Sequence, residues 1–244
     1  MIFITGDCHG DYRRLNTQNF PIQKKLTRND FIIVCGDFGF WNPSREQDWW
    51  LDWLSAKPFT LLWVDGNHEN FDLLKEYPIH SWKGGKVQYI RDNVVHLMRG
   101  QIFELEGASF FTFGGARSHD IQDGILDIDD EDFAETSRQL RARDALFRVN
   151  HISWWKEELP DKQEMDEGKE NLEKHGWQVD YIITHCAPTA FLEDLQALPD
   201  LMTDYLEEIR RRCEYKKWFF GHYHDNRELT EKDRLLYEQI LRIT

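Results

Sequence analysis

Five short apolar runs punctuate this chain, and each one stops at a polar cluster. Residues 1–4 stop at Gly6-Asp7-Cys8-His9-Gly10, residues 31–34, after Cys35, at Gly36-Asp37, and residues 60–64 at Gly66-Asn67-His68-Glu69. Tyr181-Ile182-Ile183 stops at Thr184-His185-Cys186, and Trp218-Phe219-Phe220 at Gly221-His222-Tyr223-His224. Short runs rich in β-branched and aromatic residues, ended by glycine or a polar turn, predict buried strands. Around the first three the period lengthens. Residues 11–20 predict a short helix or helical turn, and residues 45–57 a helix with Trp49/Trp53 and Trp50/Leu54 paired at i, i+4. Residues 69–76 predict another, ended by Pro78. Strands separated by helices are the pattern of parallel crossovers. From residue 87 to 113 the period shortens again. Runs at 87–90, 94–98, 101–105 and 109–113, with turn signals Asp92-Asn93, Arg99-Gly100 and Glu106-Gly107, predict antiparallel sheet. Two sheets, or one mixed sheet, follow from that switch, in an α/β (α+β mixed) class.

The loop Gly114-Gly115-Ala116-Arg117-Ser118-His119-Asp120 leads into a strongly charged stretch to about residue 176. Helices are expected there at 129–148, at 152–159 before Pro160, and at 161–174. The last has only Met165 and Leu172 as apolar residues and is expected to lie exposed. None of the recurring motifs falls in this stretch, so residues 120–176 read as a helical insertion beside the site, either a lid or a surface elaboration. Strand returns at 179–184. A helix follows at 200–216, with Leu201, Tyr205 and Ile209 on one face and Glu207/Arg211 and Glu208/Arg212 as outward pairs. Short strands are expected in 227–244. Without repeats or linkers, one domain spanning residues 1–244 is the expectation.

Composition narrows the setting. A chain of 244 residues, 41% hydrophobic, can bury a substantial core, and no apolar stretch is long enough to cross a membrane. With a first strand at residue 2, no cleavable leader is expected, and four cysteines without CxxC spacing fit a reducing compartment. The cytoplasm is the expected location. A net charge of -14 sets a repulsive field against an extended duplex nucleic acid. A small phosphorylated substrate stays open, because divalent cations invert the field an anion meets locally. Oligomeric state is not legible.

The polar clusters supply the candidate chemistry. Asp7, His9, Asp37, Asn67, His185, His222 and His224 are the imidazole, carboxylate and amide donors that bind Mn, Fe or Zn. Seven donors exceed one tetrahedral site. They suit two divalent ions sharing a carboxylate about 3.5–4 Å apart, the arrangement that clamps the attacking and leaving oxygens at phosphorus. Asp-x-His alone is weak, and His-x-His alone could be one structural site or a pair on opposite strand faces. His80, His96, His119, His151 and His175 lack such context and read as surface or packing residues.

Taken together, Asp7-x-His9, Gly36-Asp37, Gly66-Asn67-His68-Glu69, Thr184-His185 and Gly221-His222-x-His224 resemble the five-motif pattern of the calcineurin-like metallophosphoesterase superfamily. The pattern runs from residue 7 to residue 224. The resemblance implies a two-sheet sandwich flanked by helices, in four αββα layers. It implies one metal on Asp7, His9, Asp37 and His224, another on Asp37, Asn67, His185 and His222, and Asp37 as the bridge. It further implies that His68 protonates the leaving oxygen while a metal-bridging hydroxide attacks in line. One departure matters. Protein Ser/Thr phosphatases of this superfamily continue the second motif into Asp-Arg-Gly, whereas Gly36-Asp37 here runs into Phe38-Gly39-Phe40-Trp41. Arg117 is the candidate replacement for that phosphate-gripping Arg. The leading expectation is a metal-dependent hydrolase of a small or flexible phosphoester. Asp11 and Glu69 speak for a protein phosphatase, and the missing Arg against it. A non-catalytic metal-binding scaffold is the third reading, against which the complete ligand set and His68 speak.

Overall fold

Strand alternation decides which layer each apolar side chain joins. The computed structural model describes residues 1–244. Its first strands are β1 (Ile2–Thr5), β2 (Phe31–Val34), β3 (Thr60–Trp63), β4 (Ile79–Trp82), β5 (Gly85–Arg91), β6 (Val94–Leu97), β7 (Gln101–Leu105) and β8 (Ala108–Phe113). Two short strands follow, β9 (Ile125–Leu126) and β10 (Arg148–Val149), and then β11 (Tyr181–Thr184) and β12 (Lys217–Phe220). The chain ends with β13 (Arg227–Glu228), β14 (Asp233–Leu235) and β15 (Leu241–Arg242). The α-helices are α1 (Arg45–Ser55), α2 (Phe71–Lys75), α3 (Phe133–Ala142), α4 (Lys162–Lys174), α5 (Leu192–Leu195) and α6 (Leu201–Arg212).

Two main sheets result, ordered β15-β1-β2-β3-β6-β5-β4 and β13-β14-β12-β11-β8-β7. In the first, β1, β2, β3 and β6 run parallel; in the second, β8, β11, β12 and β14 do. Antiparallel strands close both edges of each sheet. The stretch 87–113 therefore divides, β5 and β6 joining one sheet and β7 and β8 the other. Strand β4 was not expected from the sequence.

Alternate residues sort into three apolar layers. Ile2, Ile4, Ile33 and Leu62 meet Phe110, Ile183 and Phe219 between the sheets. Phe3, Ile32, Val34 and Trp63 turn the other way, onto Leu51 and Leu54 of α1 and Leu74 of α2. On the second sheet, Phe111, Ile182, Trp218 and Phe220 pack under Leu172 of α4 and Met202, Leu206 and Ile209 of α6. The fold is thus mixed α/β, two sheets face to face with helices outside both. No helix is long and apolar enough to cross a membrane.

Several local expectations change. Residues 11–20 hold a 3₁₀ turn at Arg13–Leu15 rather than an α-helix, and a second 3₁₀ turn follows at Pro21–Lys25. The Asn16 side chain accepts from Gln18 N at 2.8 Å and Asn19 N at 2.7 Å, a local alternative to helical bonding. The helix expected at 129–148 is only α3. It stops where Asp144 turns left-handed (φ 51°) and Ala145 N reaches back to Leu140 O at 3.0 Å. The helix expected at 152–159 is a 3₁₀ turn, Lys156–Glu158. Helix α4 starts on a capping box between Asp161 and Glu164, as its charge pattern allows, yet it does not lie wholly exposed. It buries Gly168 and Leu172. In α6, Glu207 is buried, not outward: Arg210 and Arg211 hold its carboxylate, which also accepts from Ala190 N at 3.2 Å.

Candidate metal centre

The candidate ligands all leave the carboxyl ends of parallel strands. Strands β1, β2 and β3 deliver Asp7, His9, Asp37 and Asn67; β11 and β12 deliver His185, His222 and His224. Four of these seven residues have left-handed backbone: His9 (φ 48°), Asp37 (φ 44°), His222 (φ 72°) and His224 (φ 50°). Each such conformation costs about 1–3 kcal/mol outside glycine and persists where surrounding contacts impose it. The imposing contacts are visible. Cys8 N and His9 N both donate to Asp37 O, at 3.0 and 2.7 Å, tying the first motif to the second. At Gly66 and Gly221 a side chain has no room, because a Cβ would lie 2.0 Å from Asp37 Oδ1 and 2.0 Å from Asp7 Oδ1 respectively. The two carboxylates rest on those glycines.

Asp7 is buried and accepts His222 N on both oxygens at 3.0 Å. Its Oδ2 lies 3.3 Å from His224 Nε2 and 3.8 Å from His9 Nε2. Asp37, also buried, accepts His68 N on Oδ1 at 3.0 Å, while Oδ2 lies 3.4 Å from His185 Nε2 and 3.7 Å from His9 Nε2. The donor atoms of Asp7, His9, Asp37 and His224 fall within 4.8 Å of one another, and so do those of Asp37, His185 and His222. Asn67 Oδ1, 3.2 Å from His185 Nε2, adds itself to the second group. Asp37 belongs to both.

Electrostatics favour a cation here. No Lys or Arg pairs with either carboxylate; their ionisable partners are imidazoles. Two buried anions whose ionisable partners are imidazoles alone are only partly compensated, and divalent ions supply further charge. His185 donates Nδ1–H to Cys35 O at 2.8 Å, which turns Nε2 toward Asp37. Burial opposes charging of His185, but Asp37 and Asp7 outweigh it and raise the imidazole to about 10. Burial would neutralise Asp37, yet His185, His68 and His9 hold it well below the usual carboxylate range. His222 is kept neutral by burial and by His185, and His9 is lowered chiefly by burial. The hydrogen bond to Asp7 raises His224. Carboxylate, imidazole and amide oxygen together form the donor chemistry of Mn, Fe or Zn, so the residues present fit the ions the sequence implies.

His68 stands apart from both groups. Its backbone is tethered to Asp37, its half-buried ring lies 5.5 Å from that of His9, and burial lowers its pKa. The ion-paired Arg148 and Asp120 also act on it, in opposite senses. Arg117 is exposed and enters no hydrogen bond or ion pair. His119, read from the sequence as surface or packing, places Nε2 2.9 Å from His222 Nε2 with the rings stacked 4.8 Å apart. Its signal was its place just beyond β8, another parallel strand ending at this edge. Glu69 is buried, and its carboxylate accepts from Phe38 N at 2.6 Å and Phe40 N at 2.8 Å; burial raises it to about 8. Asp11 is engaged by Arg13. The four cysteines are buried and unpaired, and burial pushes the Cys8 and Cys186 thiols up to about 12.

Residues 1–226 match the family model described as calcineurin-like phosphoesterase. Lariat debranching enzyme A of Xenopus laevis is 26% identical over 139 residues, covering 50% of this chain and 25% of that protein. The chain therefore matches about a quarter of that relative's length.

Proposed function

This chain belongs to the calcineurin-like phosphoesterase family, and we propose that it is a dinuclear-metal-dependent hydrolase of a small or flexible phosphoester. The observation that carries this reading is Asp37, whose carboxylate is common to two separate donor groups. Asp7, His9, Asp37 and His224 would hold one ion; Asp37, Asn67, His185 and His222 the other. Two ions of Mn, Fe or Zn would supply Lewis acidity at phosphorus and activate water for in-line attack.

The chain's own residues do the rest. His68, outside both donor groups, moves a proton from its ring nitrogen to the leaving oxygen. Arg117 is free to take a phosphoryl oxygen, whereas Arg148 is committed to Asp120. The rim is open: the His224 side chain is 51% exposed and that of His9 25%, so a phosphoester on a small or flexible molecule reaches it. The two residues that spoke for a protein phosphatase have structural duties, Glu69 holding the Phe38–Phe40 backbone and Asp11 holding Arg13.

The test is turnover of the metal-reconstituted protein on phosphomonoesters, phosphodiesters, nucleotides and phosphopeptides. A lariat is included because a relative is named for debranching one. Turnover of small phosphoesters that chelation abolishes is expected. A chain that holds two metals and turns over nothing on the panel would favour a scaffold.

A further inference from the structure

Asn67 is the one proposed ligand that can present the wrong atom. A half-turn of its amide exchanges oxygen for nitrogen in the same place, and only the oxygen can serve a cation. The surroundings decide between the two. Asn67 Nδ2 lies 3.2 Å from Ser118 Oγ; Ser118 Oγ lies 2.5 Å from Glu158 Oε2; and Ser118 N donates to Glu158 Oε1 at 3.0 Å. Burial pushes Glu158 upward, but the backbone N–H and the hydroxyl of Ser118 both favour its ionised form, and an ionised carboxylate only accepts. The Ser118 hydroxyl hydrogen therefore goes to Glu158, and the Ser118 lone pair faces Asn67. Only the NH₂ edge of the amide can satisfy that lone pair, which leaves Oδ1 toward His185. The three residues are 4%, 5% and 1% exposed, in the order Asn67, Ser118, Glu158, so water is not there to replace a lost partner. A flipped amide would oppose oxygen to oxygen in a buried place.

We infer that Glu158 is a positioning residue for the second metal group, acting through Ser118 to hold the Asn67 oxygen toward the ion. The inference rests on the dinuclear reading above. Glu158 comes from the charged stretch that carries none of the strand-end motifs, and its own position is fixed from the strand that ends in Asn67. Arg99 Nη2 donates to Glu157 O at 2.7 Å, Arg99 Nε donates to Asp65 Oδ2 at 2.8 Å, and Ala116 N donates to Glu158 O at 3.1 Å. Asp65 lies two residues before Asn67. The end of β3, Arg99, the 3₁₀ turn at Lys156–Glu158 and the Ser118 loop thus form one closed circuit around the amide.

The test is titration of the full-length, metal-free chain with Co(II), followed by its absorption spectrum, with thermal melting of each variant alongside. The wild type is expected to take two equivalents. Ser118→Ala is expected to weaken one of the two steps by about tenfold to hundredfold and leave the other unchanged, the usual effect of losing an outer partner of a ligand. Glu158→Gln should act in the same sense, and Ser118→Thr, which keeps the hydroxyl, should restore binding. The decisive comparison is a double-mutant cycle with Asn67→Asp. A carboxylate has two equivalent oxygens and no orientation to lose, so Ser118→Ala should cost little in that background. Equal loss in both backgrounds, or a folded Ser118→Ala chain that binds both ions as the wild type does, overturns the inference. A wild-type chain that takes fewer than two equivalents removes the dinuclear reading, and the inference with it.

Discussion

At the scale of single residues, the proposed division between proton transfer and metal binding turns on His68. Its N–H is spent on Asp37 while its ring lies outside both donor groups. His68→Ala is expected to keep both metals and lose about 10²- to 10⁴-fold in rate on alkyl phosphoesters. On nitrophenyl esters the loss should be much smaller, because that leaving group departs without a proton. Equal losses on both substrates would point instead to charge stabilisation, and loss of a metal would make His68 a ligand. Gly221 tests the close approach. A Cβ there would lie 2.0 Å from Asp7 Oδ1 and 2.8 Å from Cys35 O, so Gly221→Ala must push a ligand or a strand aside. A loss of about 1–3 kcal/mol in denaturant unfolding is expected, with weaker binding of the ion assigned to Asp7; unchanged stability and metal content would contradict the crowding. The seven candidate ligands were legible because each ends or closely follows an apolar run. His119 was hidden by the five residues between Phe113 and itself, which separate it from its strand. Glu158 was illegible, since one glutamate in an acidic stretch shows its partner only after folding.

Elements were legible where burial alone decided them. The parallel strands read directly because both of their faces are apolar, and α6 because its buried face repeats at helical spacing. Local side-chain bonds and left-handed residues cut others short, as Asn16 and Asp144 do. Strand β4 was missed because three of its four residues are exposed and it has no alternation to read. The charged stretch at 120–176 is the case with most consequence. It buries Trp155 among the residues of the first sheet and Leu172 among those of the second, and it carries the buried Glu158. Replacing residues 120–176 with a short Gly/Ser connection is therefore expected to lower the melting temperature sharply and to lose metal. A truncated chain that melts like the full one and still holds two metals would show a dispensable lid.

Across the whole molecule, two sheets of the same plan bring the carboxyl ends of their parallel strands to one edge, where open α/β sheets characteristically place ligands. That edge gathers carboxylates in a chain already at -14, and divalent ions would reconcile such a site with an anionic substrate. The central claim is that Asp37 serves two ions at once. Elemental analysis of the reconstituted wild type and of Asp37→Asn, run beside His9→Ala, tests it most directly. Two divalent metals per chain in the wild type, both weakened by Asp37→Asn and mainly one by His9→Ala, is the predicted result. At most one metal per wild-type chain after reconstitution, or an Asp37→Asn chain that loses only one, would contradict it.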